Sequence, residues 1–159
     1  AFTYVHDLYA TLCNLAKIKP ENKIDSEDLT GIIRGNAKEV RKSLFLPFQD
    51  NQRSVNDGKW KLHIYPQINH RLLFNLEEDP HEIKDLAQNQ NFSKQQKRME
   101  QLMITWRINL KDPYPLKSEK RLPFKPSYNN DARTLDRWQP KWIREKYFDG
   151  RNDPDHGKK

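Results

Sequence analysis

The stretch "QRSVNDGKWKLHIY", residues 52–65, decides the fold because it holds a complete β-hairpin in one short run. Its centre, Asn56-Asp57-Gly58, supplies residues that adopt positive φ easily, as a tight hairpin turn requires. Apolar and polar side chains alternate on either side, which is typical of strands with one buried face. We expect strands at 52–55 and 59–65. In the first strand, Arg53 and Val55 should share one face and Gln52 and Ser54 the other. In the second strand, Trp60, Leu62 and Ile64 should point one way and Lys59, Lys61, His63 and Tyr65 the other.

Two further strands should extend this hairpin into a sheet. The run "VRKSLFLPF", residues 40–48, predicts a strand that Pro47 restricts to a sheet edge or a bulge. The run "RLLFNL", residues 71–76, predicts another strand, with Leu72, Phe74 and Leu76 on its buried face. The sequence therefore predicts a small antiparallel sheet of about four strands.

A short helix is expected directly after the last strand. Asp79 occupies the position of an N-cap, Pro80 that of the first helical residue, and Glu82 completes a capping-box spacing. Ile83 and Leu86 should then point inward. These residues alone indicate a structural corner without chemistry.

Three other helices are expected between residues 6 and 111. Residues 6–16 should form an N-terminal helix with Leu8, Leu12, Leu15 and Ala16 on one apolar face. Ser26 should cap a short helix that runs through Ile32 and Ile33 to Gly35. A capping box of Ser93 and Gln96 should open a closing helix. Its stripe, which should cover Trp60, Leu62, Phe74 and Leu76, consists of Met99, Leu102, Met103, Trp106 and Leu110.

These elements predict an α+β fold, with a small antiparallel sheet packed against a closing amphipathic helix. Residues 1–35 should form connecting helices and residues 36–111 the sheet with its closing helix. Residues 112–159 contain "DPYPL", "LPFKPSY" and "WQPKW", which predict an extended, Pro-rich, wrapping tail with a short helix at 140–148.

Composition excludes several classes of protein. The chain has 159 residues, about one domain by length, and its single cysteine excludes an internal disulfide. The five histidines are too scattered for a zinc site, and no apolar run is long enough to span a membrane. The net charge of +7 lies mostly beyond residue 110, where basic residues alternate with prolines and acids, so we expect no nucleic-acid partner.

Four motifs, in order, resemble the C-terminal part of the sulfatase family. They are "DLYATLCNLAKI", "RKSLF", "DNQRSVNDGKWKLHIYP" and "LLFNLEEDPHEIKDLA". Members of that family typically carry a "D-x-x-P-T-L-x-x-L-A-G-I" helix, a "V-R-x-G-x-W-K-L" strand and an "L-Y-D-L-x-x-D-P-x-E-x-x-N-L" corner. The tail "WQPKWIREKYF" is similar to the ends of bacterial sulfatases that act on sulfated carbohydrates. The chain departs from these patterns at Ala10 (usually Pro), Lys17 (often Gly), Asn75 (usually Asp) and Asp85 (usually Asn).

The resemblance implies that the chain is the C-terminal subdomain of a larger, alkaline-phosphatase-like α/β enzyme that hydrolyses sulfate esters. Such enzymes use a formylglycine, made from Cys or Ser in a Cys/Ser-x-Pro/Ala-x-Arg motif, and usually calcium. Cys13 is followed by Asn14-Leu15-Ala16 instead, so we interpret it as a buried helix cysteine. The nucleophile and the metal ligands should therefore lie upstream, in an N-terminal catalytic domain that this segment buttresses. We expect the segment alone to be inactive and to bind no metal or cofactor.

The chain opens at Ala1, within an apolar stretch, as if cut from a longer protein. Family resemblance also implies a periplasmic or secreted location.

The resemblance further implies that loops of this subdomain lie beside the mouth of the active site. Asp50, Gln52, Arg53 and His63 are the candidate substrate-binding residues, since Arg suits sulfate or carboxylate and Asp and Gln suit sugar hydroxyls. The alternative is a solvated hairpin edge with salt bridges. Arg53 should face the interior beside Val55, where it needs an anionic partner, either Asp50 or the substrate.

Two other functions remain open at this point. One is a basic binding module for anionic polysaccharide or nucleic acid, which would need Lys and Arg aligned on one surface. The other is a purely structural segment with no ligand.

Overall fold

A computed structural model describes residues 1–20, 22, 24–125 and 140–148. Ala1–Leu122 form one compact unit and Pro123–Lys159 a second. The first unit contains helices α1 (Asp7–Leu15), α2 (Thr30–Ile33) and α3 (Ser93–Leu110), and strands β1 (Leu44–Phe48), β2 (Gln52–Asn56), β3 (Trp60–Tyr65) and β4 (His70–Asn75). Two 3-10 turns, Pro66–Ile68 and Gln90–Phe92, precede β4 and α3. The second unit contains helix α4 (Lys141–Phe148).

The four strands form one antiparallel sheet in the order β1-β2-β3-β4. The central hairpin turns as its sequence predicts: Gly58 has a φ of 97°, and the Asp57 carboxylate accepts hydrogen bonds from the backbone N–H groups of Lys59 and Trp60. Val55 pairs with Leu62, and Leu62 pairs with Leu73. The predicted α+β class and the four-stranded sheet are therefore confirmed.

Helix α3 covers one face of this sheet, which we call the inner face. Met99 and Met103 are fully buried against it. Leu102 and Trp106 pack at the margin of the core, as the helical stripe predicts, whereas Leu110 is exposed. The buried apolar core consists of Phe45, Val55, Trp60, Leu62, Ile64, Leu73, Leu86, Met99 and Met103.

The facing of β4 differs by one residue from the prediction. Leu73 joins the core on the inner face, whereas Phe74 pairs with Lys61 on the opposite, outer face. Both Leu73 and Phe74 are buried, so this strand is covered on two sides and its apolar residues do not alternate. A run of consecutive apolar residues does not reveal which of them point to the core. Leu76 lies beyond the strand.

The predicted helix after β4 is absent, and residues 79–88 form turns instead. The Asp79 carboxylate accepts a hydrogen bond from the backbone N–H of Lys84 at 2.8 Å, and Glu82 adopts a left-handed φ of 56°. Leu86 is buried as expected, but Ile83 is 82% exposed. Side-chain bonds to the local backbone compete with helical bonds, and here they prevail.

The two other predicted side-chain caps are also wrong. Ser93 is the first residue of α3, whose N-terminus has no side-chain cap. The Ser26 hydroxyl donates to the carbonyl of His6, and Asp28 instead supports the entry to α2 by accepting from the backbone N–H of Thr30 at 2.9 Å.

Helix α1 begins and ends with well-defined contacts. Asp7 is fully buried and forms a two-pronged ion pair with Arg41 at 2.5 and 2.7 Å. At the other end, the Ile18 N–H bonds the Cys13 carbonyl at 2.8 Å, which closes a Schellman motif. Lys17 therefore has a left-handed φ of 59°, at the position where the sulfatase pattern often has Gly.

The N-terminal segment also protects the edge of the sheet. The Tyr4 hydroxyl donates to the Phe45 carbonyl at 2.8 Å and accepts from the Phe45 N–H at 2.6 Å. Pro47, two residues further along β1, has no N–H to offer at the same edge. Because both devices remove strand-pairing groups, β1 is a poor template for another strand.

Candidate functional site

The four candidate residues lie at one end of the sheet but not on one face. Gln52 and His63 point to the outer face, whereas Arg53 points to the inner face. Asp50 lies in the turn between β1 and β2, where it is exposed and accepts a hydrogen bond from Gln67 Nε2 at 2.7 Å. The structure therefore brings Gln52 and His63 into contact on the outer face, places Arg53 on the inner face, and leaves Asp50 in the adjacent turn.

His63 lies within a polar network on the outer face. Gln52 Nε2 lies 3.1 Å from Nδ1 of the imidazole, and Glu82 Oε2 lies 3.1 Å from its Nε2. Lys61 Nζ bonds the other oxygen of Glu82 at 2.6 Å. An amide nitrogen only donates, so Nδ1 accepts, and the ring proton is on Nε2, directed to Glu82. The network thus fixes both the tautomer and the orientation of His63.

Burial and hydrogen bonding set the charges of this network. Burial lowers the pKa of His63, and the bond to Glu82 only partly opposes this effect. Burial acts to raise the pKa of Glu82, but hydrogen bonds from Lys61 and His63 outweigh it, so that this pKa lies below its usual value. At neutral pH the network holds a neutral imidazole between an amide and a carboxylate.

Arg53 is only 1% exposed and is fully engaged within the chain. Its Nε and Nη2 donate to the two oxygens of Asp112 at 2.9 and 2.8 Å, and its Nη1 donates to the carbonyls of Gln49 and Gln52. Its guanidinium carbon lies 4.8 Å from the centre of the Tyr114 ring. The partner is therefore Asp112 and not Asp50, and these contacts favour a structural role for Arg53.

Sequence reasoning missed two residues that organise this region. Asp112 lies 59 positions after Arg53 and follows the last turn of α3. No local pattern links residues so far apart. The sequence spacing predicts a capping role for Glu82, yet its side chain bridges Lys61 and His63. The alternation that places Lys61 and His63 on one face is the sequence signal for an acidic partner there.

The described residues include one cysteine, Cys13, and no group of side chains that could hold a metal ion. Cys13 is half-buried in α1, although its apolar neighbours predict that it is buried. Among the described residues, no three His, Cys, Asp or Glu side chains converge to hold a metal ion. No helix within those residues is both long and apolar enough to cross a bilayer.

Comparison of the fold with solved structures gives consistent likenesses. A 2-O GAG sulfatase matches with a TM-score of 0.59 and 25% identity, over 67% of this chain and 25% of its own. A protein solved in complex with its substrate D-glucosamine-2-N,6-O-disulfate matches with a TM-score of 0.63 and 18% identity, over 71% and 25% of the two chains. A phosphonate monoester hydrolase of Agrobacterium radiobacter matches with a TM-score of 0.59 and 20% identity, over 68% and 25%.

The chain thus spans about a quarter of the length of the solved structures it matches. No protein of curated function matches it. Residues 2–109 match the family described as N-sulphoglucosamine sulphohydrolase, C-terminal. That match includes α1, the whole sheet and nearly all of α3. The chain therefore belongs to this family of sulfatase C-terminal domains.

Proposed function

We propose that the whole protein is a sulfatase acting on a sulfated carbohydrate, and that this chain is its C-terminal subdomain. The family match over residues 2–109 carries the proposal. The likeness to a 2-O GAG sulfatase supports a sulfated glycan as the substrate class. In this division, residues 1–35 connect to the catalytic domain, residues 36–111 are the subdomain proper, and residues 112–159 are a tail.

The catalytic centre belongs to the N-terminal domain in this proposal. That domain supplies the formylglycine and the calcium ion with which the family hydrolyses sulfate esters. The residues described here do not fit a calcium site, because no acidic cluster of three lies among them. By family resemblance, we place the whole protein in the periplasm or outside the cell.

The exposed side of α1 supports a buttressing role. Asp7 and Thr11 are the buried residues of this helix, whereas Leu8, Leu12 and Leu15 are 55%, 63% and 52% exposed. A row of exposed leucines on one helix face marks an interface. We propose that the N-terminal catalytic domain covers this row.

Asp50, Gln52 and His63 are the proposed pocket-shaping residues. Asp50 and Gln52 offer a carboxylate and an amide, which suit sugar hydroxyls, and His63 bonds Gln52 and thereby positions its amide. Arg53 supports them indirectly, since its Nη1 holds the carbonyls of Gln49 and Gln52. In this role Arg53 positions the turn that presents Asp50.

A second candidate activity is hydrolysis of a phosphonate monoester. The Agrobacterium enzyme matches this chain with the same TM-score as the 2-O GAG sulfatase, so the fold of this chain does not distinguish the two activities. A basic binding module has less support. Lys59, Lys61, Arg71 and Arg98 pair with Glu77, Glu82, Glu100 and Asp57, so these sheet and helix cations are neutralised within the chain.

Activity measurements on two polypeptides test the proposal. The whole protein and residues 1–159 alone are compared on an aryl sulfate at equal concentration, with buffer as the control. We expect turnover by the whole protein and none by the 159-residue chain. Turnover by the chain alone would contradict the placement of the catalytic centre, and an inactive, folded, calcium-loaded whole protein that carries formylglycine would contradict the sulfatase assignment.

A further inference from the structure

The outer face of the sheet carries a ladder of flat side chains at the end where the β1–β2 and β3–β4 turns meet. His63 and Tyr65 are near-parallel, with ring centres 6.4 Å apart and planes inclined by 19°. Tyr65 and His70, a cross-strand pair, are 6.3 Å apart and inclined by 30°. On the neighbouring strands, Phe48 pairs with Gln52 on this same face. We call Phe48, Gln52, Tyr65 and His70 the ring platform, which consists of three rings and the flat amide of Gln52.

The ring platform is accessible in this chain. Phe48 is 62% exposed, and Gln52, Tyr65 and His70 are each half-buried. A half-buried ring is held by its neighbours and still exposes part of its surface to a ligand. Because such a ring is already ordered, it loses less side-chain entropy when a ligand binds.

Hydrogen-bonding groups surround these rings. Gln52 offers its amide, and its neighbours Asp50 and Gln67 hold each other at 2.7 Å across the two turns. Burial raises the pKa of Tyr65, so its hydroxyl keeps its proton and can donate. Aromatic faces carry negative quadrupole density and attract the C–H groups of a sugar ring, while amides and carboxylates suit its hydroxyls.

The charge of this face argues against an anion as the group it binds. Lys61, which points to the outer face, is held at 2.6 Å by Glu82. His63 is held neutral by burial and points its proton at the same carboxylate. A sulfate group on the outer face would meet the carboxylates of Asp50 and Glu82, whereas Arg53 is on the inner face and is engaged by Asp112.

We propose that the ring platform binds the uncharged face of a sugar ring in the carbohydrate chain, independently of its sulfate groups. This inference rests on the proposed function for the substrate class. It adds Phe48, Tyr65 and His70 to the pocket-shaping residues and assigns them recognition of the sugar backbone. The sulfate ester itself is recognised elsewhere in the whole protein.

Calorimetric titration of the whole protein tests this inference. The probes are tetrasaccharides prepared from chondroitin and from heparan sulfate with their sulfate groups chemically removed. We expect at least one of them to bind, with an affinity that changes little between low and physiological salt. Absence of binding by both probes, or a steep loss of affinity with salt, would overturn the inference.

Matched variants assign the binding to the platform. Tyr65→Leu and Phe48→Leu should each weaken binding by about fivefold, as expected for loss of one aromatic contact. Tyr65→Phe, which keeps the ring, should stay within about twofold of the wild type. Ile108→Ala, at a 70% exposed position on α3, is the control and should bind normally. Unchanged affinity in both leucine variants, with melting temperatures preserved, would contradict the proposal.

Failure of this inference differs from failure of the proposed function. If the whole protein releases sulfate but the leucine variants bind the desulfated probes normally, only the platform assignment is wrong. If the probes bind through the platform but no sulfate ester is hydrolysed, the sulfatase assignment is wrong.

Discussion

Replacing Arg53 by Ala separates a structural role for this residue from a role in substrate binding. The guanidinium is 1% exposed, and four of its N–H groups bond Asp112 and two carbonyls. Removing one partner of a buried pair typically costs about 3–5 kcal/mol. Asp112 keeps a second partner, Arg107 Nε at 3.0 Å, which lowers the cost. We therefore expect the variant to lose about 3 kcal/mol of unfolding free energy.

Amide hydrogen exchange in the whole protein measures this loss locally. Amides of β2 and β3 should exchange faster by roughly two orders of magnitude, since about 1.4 kcal/mol corresponds to tenfold. Lys59→Met, which breaks the exposed pair with Glu77, is the control and should leave exchange unchanged. The structural role would be refuted by unchanged exchange together with a loss of kcat/KM of about tenfold or more, the result that a substrate contact predicts.

Three further predictions concern stability, each measured by thermal or urea unfolding. Lys17→Gly should stabilise by up to about 1 kcal/mol, because Lys17 has a left-handed φ of 59°; a loss of stability would contradict the Schellman assignment. Burial lowers the pKa of His63 in the folded state, so the folded chain binds fewer protons and stability should fall as pH drops below about 6.5. The variant His63→Gln should lose that part of the pH dependence, and an unchanged profile would exclude His63 as its source. Leu86→Ala should cost about 2–3 kcal/mol whereas Ile83→Ala should cost almost nothing, because Leu86 is 7% and Ile83 is 82% exposed; equal losses would contradict the turn at 79–88.

The hairpin and the closing helix could be predicted from sequence because their signals are local. A positive-φ turn at Gly58 sets the register of β2 and β3, and this register determines which faces Arg53 and His63 occupy. The stripe that includes Met99 and Met103 likewise follows from helical periodicity alone.

The remaining features depend on contacts between distant parts of the chain. Leu73 and Phe74 are both apolar, so only the pairing with β3 decides which of them enters the core. The segment after Asp79 has the spacing of a capped helix. It forms turns instead, held by the local bond of Asp79 to Lys84 and by a distant bond from the Leu86 N–H to the Leu73 carbonyl. A helix in this segment would have to give up that bond.

The faces on which the candidate residues lie follow from the sequence, but their bonding partners do not. Sequence alternation already places Gln52 and His63 on one face and Arg53 on the other. The pair of Arg53 with Asp112 leaves no local signature in the sequence. The alternation of Lys61 and His63 indicates an acidic partner on their face, but it does not identify Glu82.

The ratio of kcat/KM for a sulfate ester to that for a phosphonate monoester, measured with the whole protein, tests the central claim most directly. The two substrates are esters of the same phenol, so they share a leaving group and differ only in the group that is transferred. The sulfatase account predicts a ratio of about ten or more in favour of the sulfate ester. Faster hydrolysis of the phosphonate monoester would contradict it and would favour the second candidate activity.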